Sequence, residues 1–176
     1  MDVRLVPFTE EHLDRTFEWV NRGDMNVLMN WPPRVTPEEH RAWFSRISQQ
    51  HIFAIEAAGR HIGNCCLKDH DHQAKRAELW IYIGDRENRG SGTGSQALAL
   101  LLDYGFLTLE LNRIFVYVVG AERNAEGLYR RAGFRHEGRL REHLSINGRL
   151  YDAVYMGILK EEWLAHGKQE AGGSST

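Results

Sequence analysis

The sequence predicts an α/β (α+β) fold in which a mixed, mostly antiparallel central sheet carries helices on both faces. Three observations lead there. The early strands are joined locally, by a turn at Ala58-Gly59-Arg60. A strand then runs into a glycine-rich loop that opens a long apolar helix, and a late Asn147-Gly148 marks a tight two-residue hairpin. This order is not a repeated βαβ series, so a purely parallel sheet is excluded.

Each element has a local reason. Val3 to Val6 is a short strand, and Thr9 is placed to cap a helix from Glu10 to about Asn21, with Leu13, Phe17 and Val20 on one face. Residues 25–33 read as a loop rich in Asn and Pro. Thr36-Pro37-Glu38-Glu39 opens the next helix: Thr36 caps, Pro37 fits the first position and Glu39 completes a capping box. Strands follow at 52–57, 61–67 and 77–83, then a helix from about Gly92 to Phe106 and a strand at 114–119. A short helix at 125–132 ends at Gly133, and strands at 134–144 and 150–159 flank the Asn-Gly turn. Residues 1–166 read as one domain and the tail 167–176 as disordered.

Composition narrows the function. Among 176 residues, 22 Lys and Arg stand against 24 Asp and Glu, and a net charge of -2 argues against a dedicated nucleic-acid binder. No apolar run reaches the roughly 20 residues of a membrane span, and the N-terminus lacks a signal-peptide pattern. Adjacent Cys65 and Cys66 point to opposite faces of a strand and form no disulfide framework. The expected location is cytoplasmic. His70-Asp71-His72 lacks metal-ligand spacing, so no metal is expected.

The sharpest motif is Arg89-Gly90-Ser91-Gly92-Thr93-Gly94, between a strand and a helix. Glycines admit close backbone approach, and the first helical N–H groups lack internal partners, so the loop suits a phosphate. A Walker-type loop would need a lysine that is absent. Gly92-x-Gly94-x-x-Ala97 also fits a dinucleotide fingerprint, but too little chain follows for a second mononucleotide half. A glycine-rich turn with no ligand is the remaining reading.

A third ligand reading, coenzyme A, comes with a family. Arg89-x-x-Gly92-x-Gly94 resembles the phosphate signature of the GCN5-related N-acetyltransferases (GNAT). Ala125-x-x-Leu128-Tyr129-x-x-x-Gly133-Phe134 resembles a second motif of that superfamily. Glu137 to Glu142, Asn147-Gly148-Arg149-x-Tyr151-Asp152 and Met156 to Leu159 are similar to the RimJ/RimL-type branch. Four motifs occur in the right order and spacing over roughly residues 1 to 164. The resemblance implies a sheet splayed at the acetyl-CoA site, with acetyl-CoA as cosubstrate. By resemblance, the backbone of Ile81 and Ile83 would meet the pantetheine arm. Arg89, Gly90, Ser91, Gly92, Thr93 and Gly94 would cradle the pyrophosphate. Where the family often has asparagine, seven residues before the tyrosine, this chain has Glu122, with Asn124 two residues later as the substitute coenzyme contact.

An alkyl ammonium must lose a proton before it attacks a thioester, and the departing thiolate gains one. Glu78 is the candidate base, on the strand leading to the loop and sharing a face with Trp80 and Tyr82, where aromatic surroundings would act on its carboxyl. Tyr129 is the candidate acid; the family tyrosine at that position points at the coenzyme sulfur. Trp19, Asn30, Trp31, Trp80, Tyr82 and Tyr151 are candidate acceptor-lining residues, since aromatics suit sugars, flat rings and cations. The expected acceptor is a primary amine on a small molecule, such as an amino sugar, or a protein N-terminus as in ribosomal-protein-type enzymes. No dense acidic cluster of the kind a polycation favours lies near the N-terminal loop. A non-catalytic acyl-CoA-binding module is the alternative on the same fold. Family members are often homodimers.

Overall fold

The computed structural model describes residues 2–119 and 123–172. Seven strands form one sheet in the order β1-β2-β3-β4-β5-β7-β6. The strands are β1 (Val3–Pro7), β2 (His51–Ala57), β3 (Arg60–Asp71), β4 (Arg76–Ile83), β5 (Arg113–Val119), β6 (Arg135–Ile146) and β7 (Arg149–Leu159). Neighbours are antiparallel except β4 and β5. The helices are α1 (Leu13–Val20), α2 (Gly23–Met29), α3 (Pro37–Ile47), α4 (Thr93–Asp103), α5 (Arg123–Arg131) and α6 (Lys160–Gly172).

Side-chain alternation divides β4 between two cores. Ala77, Leu79 and Ile81 join a large apolar cluster with Leu98, Leu101 and Leu102 of α4. Trp80 and Tyr82 point the other way, to clusters built with α1, α2 and α3. The two cysteines follow the same rule: Cys65 belongs to the α4 side and Cys66 to the opposite side. Both are fully buried, more deeply than a partly covered strand pair would be. Burial pushes both thiols up from their ordinary range.

The capping box forms as the sequence dictates. The Glu39 amide donates to Thr36 Oγ1 at 3.2 Å, and the Thr36 amide to Glu39 Oε2 at 2.8 Å. Such a cap stabilises a helix by about 1 kcal/mol. At the hairpin, Asn147 and Gly148 take φ values of 52° and 76°, the left-handed pair that a two-residue turn demands.

Three elements differ from the sequence reading. Residues expected as a loop form α2, which begins without a side-chain cap and ends at Asn30 in the left-handed region. Its support is tertiary: Asn26 Nδ2 donates to the Val20 carbonyl at 2.8 Å and also to that of Pro32. The long helix loosens into a π turn at Tyr104–Thr108. There Gly105 is packed so closely that a Cβ would come 2.6 Å from Ile114 Cδ1 and 3.0 Å from Leu67 Cδ1. Gly105→Ala is therefore expected to destabilise the fold by about 1–3 kcal/mol through overpacking, measurable by urea denaturation; an unchanged midpoint would show that the turn yields freely. Finally, α6 extends to Gly172, past the point where the sequence predicts disorder, while residues 173–176 lie outside the described part. Among the described residues no helix is long and apolar enough to cross a membrane.

Candidate active site

The parallel pairing of β4 with β5 is short. It holds at Arg76↔Arg113, Ala77↔Ile114 and Glu78↔Phe115, and then stops. Beyond that point β4 stays with β3 as far as Ile83, and β5 stays with β7 as far as Val119. The sheet thus opens between two strands that each remain held on their far side. A cleft of 1620 Å³ occupies the opening, with Leu79 to Ile83 on one wall, Val116 to Val119 on the other and α5 alongside. Glu78 sits at the fork.

The glycine loop forms the mouth. Gly90 and Gly92 have φ of 74° and 88°, a region that L side chains avoid, and neither would meet any atom within 4 Å if given a Cβ. Gly90, Gly92, Gly94 and Ser95 line the cleft, and α4 starts immediately behind them. Its first-turn amides therefore face the opening without helical partners. The hydroxyls play a different part: Ser91 Oγ and Thr93 Oγ1 both donate to the Asn88 carbonyl, at 2.7 and 2.8 Å, and fix the loop's shape. What Ser91 and Thr93 can offer a phosphate is backbone.

Arg89 corrects the picture of a free phosphate-binding cation. Its Nε donates to the Ile83 carbonyl at 2.8 Å and its guanidinium to Asp24 Oδ2 at 2.7 Å. Asp24 also receives Arg22 and Arg86. Burial alone would raise the Asp24 carboxyl; hydrogen bonds from Arg22, Arg89 and Arg86 outweigh it and hold it well below the usual carboxylate range. Arg89 thus ties α2 to the end of β4 and occupies the carbonyl of Ile83, one of the two residues expected to face the pantetheine arm. Ile81 and Ile83 both line the cleft. The Asn124 side chain and Glu122 lie outside the described residues.

Glu78 and Tyr129 line the same cleft. The expected aromatic setting of Glu78 is only half present. Trp80 shares its face, stacked on Tyr82 at 5.9 Å, but the nearest partner of the carboxylate is the Lys68 ammonium, 3.0 Å away across the β3–β4 pair. Tyr129 is 5% exposed, packs on Phe134 and has no hydrogen-bond partner among the described residues. Burial pushes its phenol above the ordinary value.

Of the acceptor candidates, Asn30, Trp31, Trp80 and Tyr82 line the cleft. Trp31 meets Tyr82 edge-on at 5.0 Å, and the Tyr82 hydroxyl accepts from Asn64. Trp19 does not line it: it is 4% exposed, packed over Gly84 with no room for a Cβ there, and edge-on to His61. Nor does Tyr151, which lies on β7 beneath Arg149. Sequence reasoning passed over α3, whose His40, Trp43 and Arg46 line the cleft together with Arg34 and Val35 of the preceding loop. Their spacing of three along one helix was the available signal. The His70 and His72 rings lie 3.9 Å apart, tilted by 37°, with His51 nearby, yet among the described residues no His, Cys, Asp or Glu group is arranged to hold a metal.

A splayed sheet, a left-handed glycine loop and a helix N-terminus at the cleft mouth are joined by a family match: residues 2–135 fit the acetyltransferase (GNAT) domain. The chain belongs to the GNAT family. It is 31% identical over 175 residues to the spermidine N(1)-acetyltransferase of Escherichia coli strain K12, covering 94% of this chain and 90% of that protein. It is 34% identical over 167 residues to the Vibrio cholerae spermidine N(1)-acetyltransferase, covering 85% and 95%. A solved structure of spermidine N-acetyltransferase from Vibrio cholerae in complex with CoA and spermine superposes with a TM-score of 0.86 at 26% identity, covering 92% of this chain and 98% of the other. This GNAT chain is an acetyl-CoA-dependent N-acetyltransferase with the mixed, mostly antiparallel sheet of its relatives.

Proposed function

We propose that the acceptor is the primary amine of a small molecule, that Glu78 takes the proton from its ammonium and that Tyr129 donates a hydrogen bond to the departing sulfur. The observation that supports this most is the fork. Glu78 is the last β4 residue paired with β5, so its carboxylate stands where the cleft begins, between the aromatic wall and the opened strands.

Acetyl-CoA supplies the acetyl group as a thioester: the amine nitrogen bonds to the carbonyl carbon, and the carbon–sulfur bond breaks with its electron pair on sulfur. The unpaired backbone of β4 and the amides of Gly90 to Gly94 suit the pantetheine and pyrophosphate of that cosubstrate. Glu78, held by Lys68, accepts the ammonium proton directly or through one water. A phenol above its ordinary pKa of about 10 gives a proton reluctantly to a thiolate whose conjugate acid lies near about 8.5 in water. Tyr129 is therefore better suited to stabilise the sulfur by hydrogen bonding, with complete transfer only as buried sulfur becomes more basic.

The polyamine enzymes among the relatives put spermidine and spermine on the first acceptor panel, beside amino sugars, amino acids and peptides with free N-termini. Thiol release from acetyl-CoA that depends on a small amine is the expected result. Release with peptides alone would move the acceptor to protein N-termini, and coenzyme binding without release from any amine would favour the non-catalytic module. Tyr129→Phe is expected to lower kcat about 10- to 100-fold while changing the acetyl-CoA KM little; an unchanged kcat would remove the hydroxyl from the chemistry.

A further inference from the structure

The acceptor end of the cleft has an unbalanced charge lining. Among the described residues three carboxylates border the cleft, Asp24, Glu39 and Glu78, and two of them are paired with cations. Asp24 is shared by three arginines, Glu39 accepts from the Thr36 amide in its capping box, and Glu78 is paired with Lys68. A polyamine entering with several ammonium groups finds one carboxylate there without a cationic partner, Glu39, whose hydrogen bond from the Thr36 amide leaves its charge in place. The cations are less committed. Arg34, in the loop before α3, and Arg46, three residues along α3 from Trp43, both line the cleft, and their guanidinium groups have no ion-pair or hydrogen-bond partner among the described residues.

A second feature lies between them. His40 is 5% exposed, lines the cleft and is stacked on Trp43 at 5.2 Å, and its Nε2 has no hydrogen-bond partner. Burial lowers its imidazole from the ordinary value, opposed by the charge of Asp14, so the ring is neutral near pH 7 and can donate one hydrogen bond. An orphan polar atom this deep costs stability unless something meets it.

We infer that the acceptor amine carries a small anionic group, phosphate or carboxylate, which Arg34 and Arg46 receive, with His40 as a further donor once its enclosed Nε2 is turned into the cleft. This rests on the amine-acetyltransferase reading above and adds a substrate class to it. Guanidinium groups match both oxyanions bidentately, and Arg34, being free, need not give up an existing partner to bind one. The placement also separates the two ends of the acceptor: its anion toward α3, its amine toward Glu78 on β4.

The test uses matched acceptor pairs: ethanolamine with O-phosphoethanolamine, glucosamine with glucosamine 6-phosphate, butylamine with 4-aminobutyrate, and spermidine alongside. The anionic member of at least one pair is expected to show a kcat/KM roughly tenfold or more above its neutral partner, as a charge-assisted contact gives. The phosphate and carboxylate pairs distinguish the two oxyanions. In R34E/R46E that ratio is expected to fall toward about 1; being internal to each protein, it is insensitive to how much of the variant is folded. Neutral members or spermidine turned over as well as or better than every anionic one would overturn the inference and leave the acetyltransferase reading intact. So would a ratio unchanged in R34E/R46E with a raised acetyl-CoA KM, which would give both arginines to the coenzyme. No turnover of any amine would overturn the underlying reading instead.

Discussion

Glu78→Gln is expected to lower kcat/KM for the acceptor about 100-fold at neutral pH. The amide keeps the shape of the side chain on β4 but cannot take a proton, and it leaves the Lys68 ammonium with Asp69, 3.8 Å away, in place of its nearer partner at 3.0 Å. The pH dependence gives the sharper signature. An alkyl amine with a pKa of about 10.4 is unprotonated in only about one molecule in a few thousand at pH 7. Without a base, the variant must wait for that fraction, which grows about tenfold per pH unit. Its rate should therefore climb steeply with pH and approach the wild type in alkaline buffer. Parallel profiles for the two proteins, differing by a constant factor or not at all, would show that Glu78 positions the acceptor rather than deprotonating it. The profile should be read on acetyl-CoA-saturated enzyme, so that coenzyme binding does not enter.

Gly92→Val is expected to raise the acetyl-CoA KM on the order of 100-fold with little loss of fold. Two effects add. At φ of 88° a β-branched residue is strained by roughly 1–2 kcal/mol. The open space around Gly92 also means that the new side chain meets no protein atom; it projects into the mouth of the cleft and blocks approach to the first-turn amides of α4. Loss of charge-assisted contacts of about 1.5–3 kcal/mol accounts for the remainder. Isothermal titration with CoA reads this directly. Unaltered affinity would mean that the phosphate is held elsewhere, by arginines rather than by the loop's backbone. Arg89 would then be the first to reconsider, since it would have to leave Asp24 and the Ile83 carbonyl to reach it.

What could be read from the chain beforehand was local. Thr36-Pro37-Glu38-Glu39 announces a helix start because its two reciprocal hydrogen bonds lie within four residues. Asn147-Gly148 announces a hairpin because two residues alone must take positive φ. The strand–glycine loop–helix unit is equally self-contained, and it carried the coenzyme reading with it. The misses are long-range. α2 has no cap at Arg22, and its apolar spacing, Met25, Leu28 and Met29, spans a single turn; Asp24 is held by Arg86 and Arg89, more than sixty positions away, as no window along the chain could show. The same contact gives Arg89 a bracing role that its place in the motif does not announce. Trp19 and Trp31 look alike as sequence, yet Gly84 draws one ring into packing, while the left-handed bend at Asn30 leaves the other on the cleft wall. The length of the fork was also invisible, because β5 parts from β4 under the hold of β7, a strand that arrives thirty residues later.

The burial of Cys65 and Cys66 on opposite faces of β3 has a practical consequence for all of these experiments. Each thiol is enclosed in a different apolar cluster, and burial disfavours the thiolate that reacts with disulfide reagents. While the chain is folded, an aromatic disulfide indicator should register only the thiol set free from acetyl-CoA. Should the sheet open, two further equivalents per chain would report it. The enzyme therefore carries its own integrity gauge: a burst of two thiols before any acceptor is added marks a preparation, or a variant, that has come apart.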